Sequence, residues 1–166
     1  MLKKVFAAIM FVGFACGLSY GADEFALFRE ERIGNLHIGI SKTEVNKKIH
    51  CALKRGSDKL WGADGLYHQK WEYAGCGINL DMVSEKKGGP KSAGSITVVG
   101  PSTLSTKKGI RIGSMEQEVM EAYKPYWNRE DSERGRTFVA GSIYGGLIFS
   151  FESGKVSAIF LGAAAE

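Results

Sequence analysis

Apolar and polar residues alternate along this chain in short stretches, and the period of the alternation changes in the same order twice. Ile78, Leu80 and Met82 alternate with Asn79, Asp81 and Val83. That period of two describes a strand with one buried face and one mostly polar face. Phe149 and Phe151 repeat the stripe further along. Strands are read at residues 71–74, 77–83 and 95–99, and again at 136–140, 147–152 and 155–161. Ser153 and Gly154 between two of them signal a hairpin, where the earlier set has a longer basic loop at residues 84–91. A helical pattern precedes each set. Ser41 and Glu44 form a capping box, since the hydroxyl accepts from the backbone three residues on and the carboxylate reaches back. Val45 and Ile49 then share one face of a helix over 41–50. Later, Ser114 and Gln117 are read as the matching cap, with Val119, Met120 and Tyr123 as the apolar face. Pro125 stops that helix, because proline disfavours helical geometry in the residue before it. Phe25 and Phe28, three apart, suggest a further short helix within 22–32, with Leu27 off their face and Gly34 as its end.

The two series align residue by residue. Leu36, Ile38, Gly39, Glu44 and Val45 match Ile110, Ile112, Gly113, Glu118 and Val119, a shift of 74 residues. Gly77, Ile78, Leu80 and Met82 read against Gly146, Leu147, Phe149 and Phe151. Repetition at such a period is the mark of tandem units. The layout is α+β: short helices, then an antiparallel meander, repeated. The boundaries expected are 1–21 for a signal peptide, 22–103 for the first repeat and 104–166 for the second, with residues 102–108 as linker. Units this short sit near the lower limit for a self-sufficient core, so they should share an interface or draw on extra stabilisation.

The N-terminus reads as a targeting segment. Lys3 and Lys4 precede an almost unbroken apolar run at residues 5–17, and small residues follow at Ser19, Gly21 and Ala22. The run is too short to span a bilayer, so cleavage near Gly21 or Ala22 is expected, leaving no integral membrane span. Cys16 raises a lipoprotein alternative, but Gly13, Phe14 and Ala15 lack the usual leucine three residues upstream. Export places the protein in the periplasm or outside the cell. Cleavage also lowers the formal charge from +4 to +2, because Lys3 and Lys4 leave and no acidic residue does. No concentrated basic face calls for nucleic acid. The lysines and arginine at 42, 47, 48, 54, 55 and 59 read as a solvated face.

Cys51 and Cys76 are the two cysteines of the exported chain. An oxidising compartment makes a disulfide the default, closing a loop of roughly 25 residues that the chain-entropy model values at about 3 kcal/mol. The rival is a metal site from His50, Cys51, His68 and Cys76. Its residue types suit zinc, but the spacing matches no compact motif and the adjacent His50 and Cys51 point apart. No metal or cofactor is expected.

Candidate chemistry is sparse. There is no nucleophile elbow, no His-Glu-x-x-His and no phosphate-cradling loop, so an enzyme is not expected. Gly145 and Gly146 fit a bulge or a close strand approach. His37 stands where the second copy has Arg111, a surface position. Asp81 and Glu72 are carboxylates that nothing in the sequence brings together. A binding surface has more support. Trp61, Tyr67, Trp71 and Tyr73 cluster in the first unit, with Tyr126 and Trp127 at the matching place in the second. Trp and Tyr concentrate at interface hot spots. Trp71 and Tyr73 lie on a strand and are expected to pack inward. Trp61 and Trp127 fall in turn-rich stretches, residues 52–69 and 125–136, where apolar bulk needs a purpose. If the two sheets join side by side, these loops would rim one concave surface.

The pattern apolar-Gly, then Ser41 or Ser114, then Glu44-Val45 or Glu118-Val119, then a helix and strands, resembles the BLIP-like group. That group includes the secreted β-lactamase inhibitor protein and the SmpA/OmlA-type lipoproteins of outer-membrane assembly. The two-copy arrangement looks more like the inhibitor, and one cysteine after the helix with one in an early strand agrees with it. The inhibitor has a disulfide in each half, whereas the second unit here has no cysteine. The resemblance implies two tandem BLIP-like units and a role in binding another protein. The partner implied is a secreted or periplasmic hydrolase such as a β-lactamase, inhibited without catalysis, or alternatively an envelope-assembly component.

Overall fold

The computed structural model describes residues 25–164. The expected signal segment, its cleavage site and Cys16 lie outside the described residues. Among the described residues, three short α-helices, α1 (Ala26–Glu30), α2 (Lys42–Lys48) and α3 (Glu116–Tyr123), accompany nine strands. The strands are β1 (Lys54–Arg55), β2 (Lys59–Leu60), β3 (Tyr67–Tyr73), β4 (Ile78–Ser84), β5 (Ser92–Val99), β6 (Trp127–Glu133), β7 (Thr137–Ser142), β8 (Gly145–Glu152) and β9 (Lys155–Gly162). All join one antiparallel sheet in the order β1-β3-β4-β5-β9-β8-β7-β6, with β2 also on β3. The fold is therefore mixed α+β, dominated by a single large sheet.

The two strand series meet at β5 and β9, where Ile96, Thr97, Val98 and Val99 pair with Leu161, Phe160, Ile159 and Ala158. Alternation sorts the sheet into two unlike faces. One carries Trp71, Leu80, Met82, Ile96, Ile159, Leu147 and Phe149, all buried. Val45 and Ile49 from α2 and Val119 and Tyr123 from α3 complete this core. On the other face, Lys70, Glu72 and Asn79 are exposed, while Asp81, Thr97, Phe160 and Ile148 are half-exposed.

The approach to α2 and the approach to α3 are held alike. Gly39 N–H donates to Ala93 O, Ala93 N–H to Ile40 O and Lys42 N–H to Lys91 O. Gly113, Ser114 and Glu116, 74 residues on from Gly39, Ile40 and Lys42, bond alike: Gly113 N–H donates to Val156 O, Val156 N–H to Ser114 O and Glu116 N–H to Gly154 O. Gly39 and Gly113 both take positive φ, 79° and 86°, which glycine adopts without steric cost. The capping box at α2 is present, with Ser41 Oγ accepting from Glu44 N–H and Glu44 accepting from Ser41 N–H. At α3 the cap differs from the expected Ser114–Gln117 pair. Met115 is the N-cap, and Glu118 accepts from its N–H at 2.7 Å. Ser114 Oγ instead accepts from Arg111 N–H. The bonds to β9 fix the helix start one residue later than the best capping side chain.

Several segments expected to be turns or tethers are built into the fold. β1, β2 and the first residues of β3 lie within 52–69, and β6 lies within the charged stretch 125–136. Strand β6 is an edge with an irregular register between Asn128 and Glu133, where Asn128 Oδ1 accepts from the backbones of Glu130 and Asp131. Such exposed, charged edges show little apolar alternation to read. The linker also packs: Gly34 N–H donates to Ser105 O, and Ile33 bridges Thr106. Buried Glu31, just after α1, accepts from Lys107 N–H and from Tyr123 O–H, each at 2.9 Å. Burial pushes the Tyr123 phenol pKa up, so it stays a neutral donor. In α1, Leu27 is the core residue, while Phe28 and the preceding Phe25 share a side over Gly145 of β8.

Cys51 and Cys76 form a disulfide. No described helix is long and apolar enough to cross a membrane.

Candidate functional site

The six candidate aromatics do not form one surface. Trp71 and Tyr73 are 1% and 2% exposed, in the core of β3. Trp71 donates its indole N–H to Gln69 Oε1, and the Arg55 guanidinium lies 4.6 Å from its ring. Neither residue offers area to a partner. Trp127 stands opposite Ala140 and stacks on Phe138 at 5.8 Å, so it belongs to the core side of the sheet. The Arg129 guanidinium lies 4.7 Å from its ring. Tyr126 and Tyr67 are half-buried, the former under the Lys108 ammonium. Trp61 lies by the opposite edge of the sheet and packs against the open face. The two turn-borne indoles therefore rim no common surface.

Trp61 instead belongs to a compact polar group. The turn at residues 61–66 folds on itself, with Trp61 N–H donating to Leu66 O, Gly65 N–H to Trp61 O and Leu66 N–H to Asp64 Oδ1. This lays the indole on the His68 imidazole, centroids 3.9 Å apart and planes within 8°. Strand β3 aims His68 at the open face. Strand β4 sets Asp81 beside it, because Lys70 pairs with Asp81 and His68 with Val83. One imidazole nitrogen, Nε2, meets Asp64 Oδ2 at 2.9 Å, and the other, Nδ1, meets Asp81 Oδ2.

Both nitrogens can donate only when the ring is protonated. Burial works against that charge, but the Asp81 and Asp64 carboxylates outweigh it and raise the His68 pKa. The Asp64 pKa is lowered, first by the Leu66 N–H and also by His68. With each nitrogen held by a carboxylate, His68 has none left to give or take a substrate proton. Of the His50, Cys51, His68 and Cys76 set, the disulfide takes both cysteines and His68 meets Asp64 and Asp81. Sequence reasoning had His68 and Asp81 only as separate residues. The four-residue spacing of Asp64 and His68 was the one available signal.

The group walls a cleft of about 670 Å³ on the open face. Phe28, Leu66, Val83 and Phe160 supply apolar lining, with Lys70 at its polar side. The volume falls within the range of small-ligand sites. A second cleft, about 570 Å³, lies by the disulfide and Leu104.

The fold and this cleft define an α+β protein with one helix-covered and one open sheet face. Comparison with known proteins adds no relative: no family model matches the chain, and no curated protein or solved structure does.

Proposed function

We propose that the chain is an exported, non-enzymatic protein-binding module of two BLIP-like units that inhibits a secreted or periplasmic hydrolase. The observation that carries the reading is the open face of the sheet. It sets half-exposed Phe160 and Ile148 beside charged Lys70 and Glu72, so apolar area on this face stays accessible to a partner. The equal hydrogen-bonded approaches to α2 and α3 support the two-unit reading. The disulfide fits an oxidising compartment.

The test uses the full chain expressed with its own leader, purified from the envelope and medium. A mass beginning at Ala22 or Asp23 is expected; retention of Met1 would remove the export claim, and lipid on Cys16 would favour an envelope-assembly accessory. The purified protein is then titrated against a panel of β-lactamases and lysozymes. Stoichiometric loss of one activity, relieved by Thr97→Arg on the open face, is expected. Unaltered rates across the panel would reject the inhibitor assignment.

A further inference from the structure

We infer that the cleft beside Trp61 binds an apolar ring carrying a carboxylate, with Lys70 as its counter-ion. This concerns one site on the open face and does not depend on the hydrolase reading. The apolar part follows from the walls. Phe28, Leu66, Val83 and Phe160 line a concavity on a sheet face that also carries Lys70, Glu72 and Asn79. Its floor is kept low by Gly94, where a Cβ would stand 2.9 Å from Val83 Cγ1.

The sign of the charge follows from which groups are already committed. Asp64 and Asp81 are the carboxylates lining the cleft, and both are spent on His68. Lys70 lines the same cleft, is exposed, and makes no ion pair among the described residues, although it stands across from Asp81. With His68 protonated, the Asp64, His68, Asp81 and Lys70 set carries no net charge, and its one unpartnered member is a cation. A carboxylate entering on an apolar body completes it; an incoming cation finds no free anion. The charged neighbours of His68 are few: Asp64 from its own turn, Asp81 from β4, Lys70 from β3, and Lys59 opposite it on β2. From β5, β9 and α1 the lining residues are Gly94, Ser95, Phe160 and Phe28, none titratable. Loss of the His68 proton leaves the two carboxylates uncompensated, so affinity for an anion should fall as pH rises.

The experiment is an NMR titration of the full chain at about pH 6, read at the Trp61 indole N–H and the His68 ring. The probes are 3-phenylpropionate, its neutral amide, and the peptide acetyl-Phe-Asp-amide with its Asn counterpart. Saturable shifts from the acid, with at least about tenfold weaker binding of the amide, are expected for a charge-assisted contact. Selective binding of the peptide over its Asn form, without the free acid, also supports the site and names a partner segment as the source. The Lys70→Met variant, exposed and so expected to fold, should lose the preference for acid over amide. Equal binding of acid and amide, no shift with any probe, or an unchanged preference in Lys70→Met would each overturn the inference.

Discussion

His68 holds its turn to the sheet only while it carries a proton, because a neutral imidazole has one N–H and two carboxylates face it. Its folded pKa is raised above the ordinary value of 6.5. The folded chain thus binds this proton more tightly than the unfolded chain does. The resulting stability is fully present below the unfolded value and is lost as pH rises through the raised one. Asp64 works in the opposite direction: its lowered pKa contributes stability that is present above the unfolded carboxylate value and lost as pH falls through the depressed one. Urea unfolding from about pH 6 to about pH 9 should show falling stability, and His68→Gln should remove that slope. An equal slope in the variant would mean that other groups cause it. The inward packing of Trp71 and Tyr73 was legible, since strand aromatics two apart share a face. The His68 group was not, because it depends on which residue of β4 stands beside β3, and a one-residue slip would turn Asp81 into the core.

At the scale of elements, α2 and α3 start from nearly the same backbone, with φ −71° and ψ 153° at Ser41 and φ −74° and ψ 147° at Met115. Only Ser41 brings a side-chain oxygen to the cap. Ser41→Ala should cost about 1 kcal/mol, and Met115→Ser should stabilise by a similar amount, since Met115 is 49% exposed and loses little burial. Thermal unfolding of both variants checks the pair; a destabilised Met115→Ser would place the cap elsewhere. This is also where the sequence misdirected. A search for capping side chains selects Ser114, but the bonds of Gly113 and Ser114 to Val156 of β9, and of Glu116 to Gly154 just before it, decide the start. Strands with clean alternation, β4, β8 and β9, were readable to within about two residues. β6 was not, because its exposed, bulged edge carries no buried stripe.

Across the whole molecule, the two strand series are interlocked rather than merely adjacent. They share one buried cluster and the β5–β9 pairing. The first helix packs on β7 and β8, and Glu31 receives the hydroxyl of Tyr123 across 92 residues of chain. Motifs that recur 74 residues apart are visible in sequence; the contacts that join the two strand series are long-range and leave no local trace. Two perturbations at opposite ends test whether the fold is one cooperative unit. Near β4, Cys51→Ala with Cys76→Ala removes a cross-link worth about 3 kcal/mol in the chain-entropy model. On β8, Gly146→Ala sets a Cβ 2.5 Å from Ala140 O and 2.8 Å from Ser142 O, backbone atoms that cannot step aside. It should cost about 3 kcal/mol, while Gly145→Ala, which meets the side chains of Phe25 and Phe28 at 3.1 to 3.3 Å, should cost less. Fluorescence and circular dichroism should follow one urea transition in every variant, shifted as a whole by either change. A second transition, moved by only one of them, would show that each half holds its structure alone and that the shared core contributes little to either.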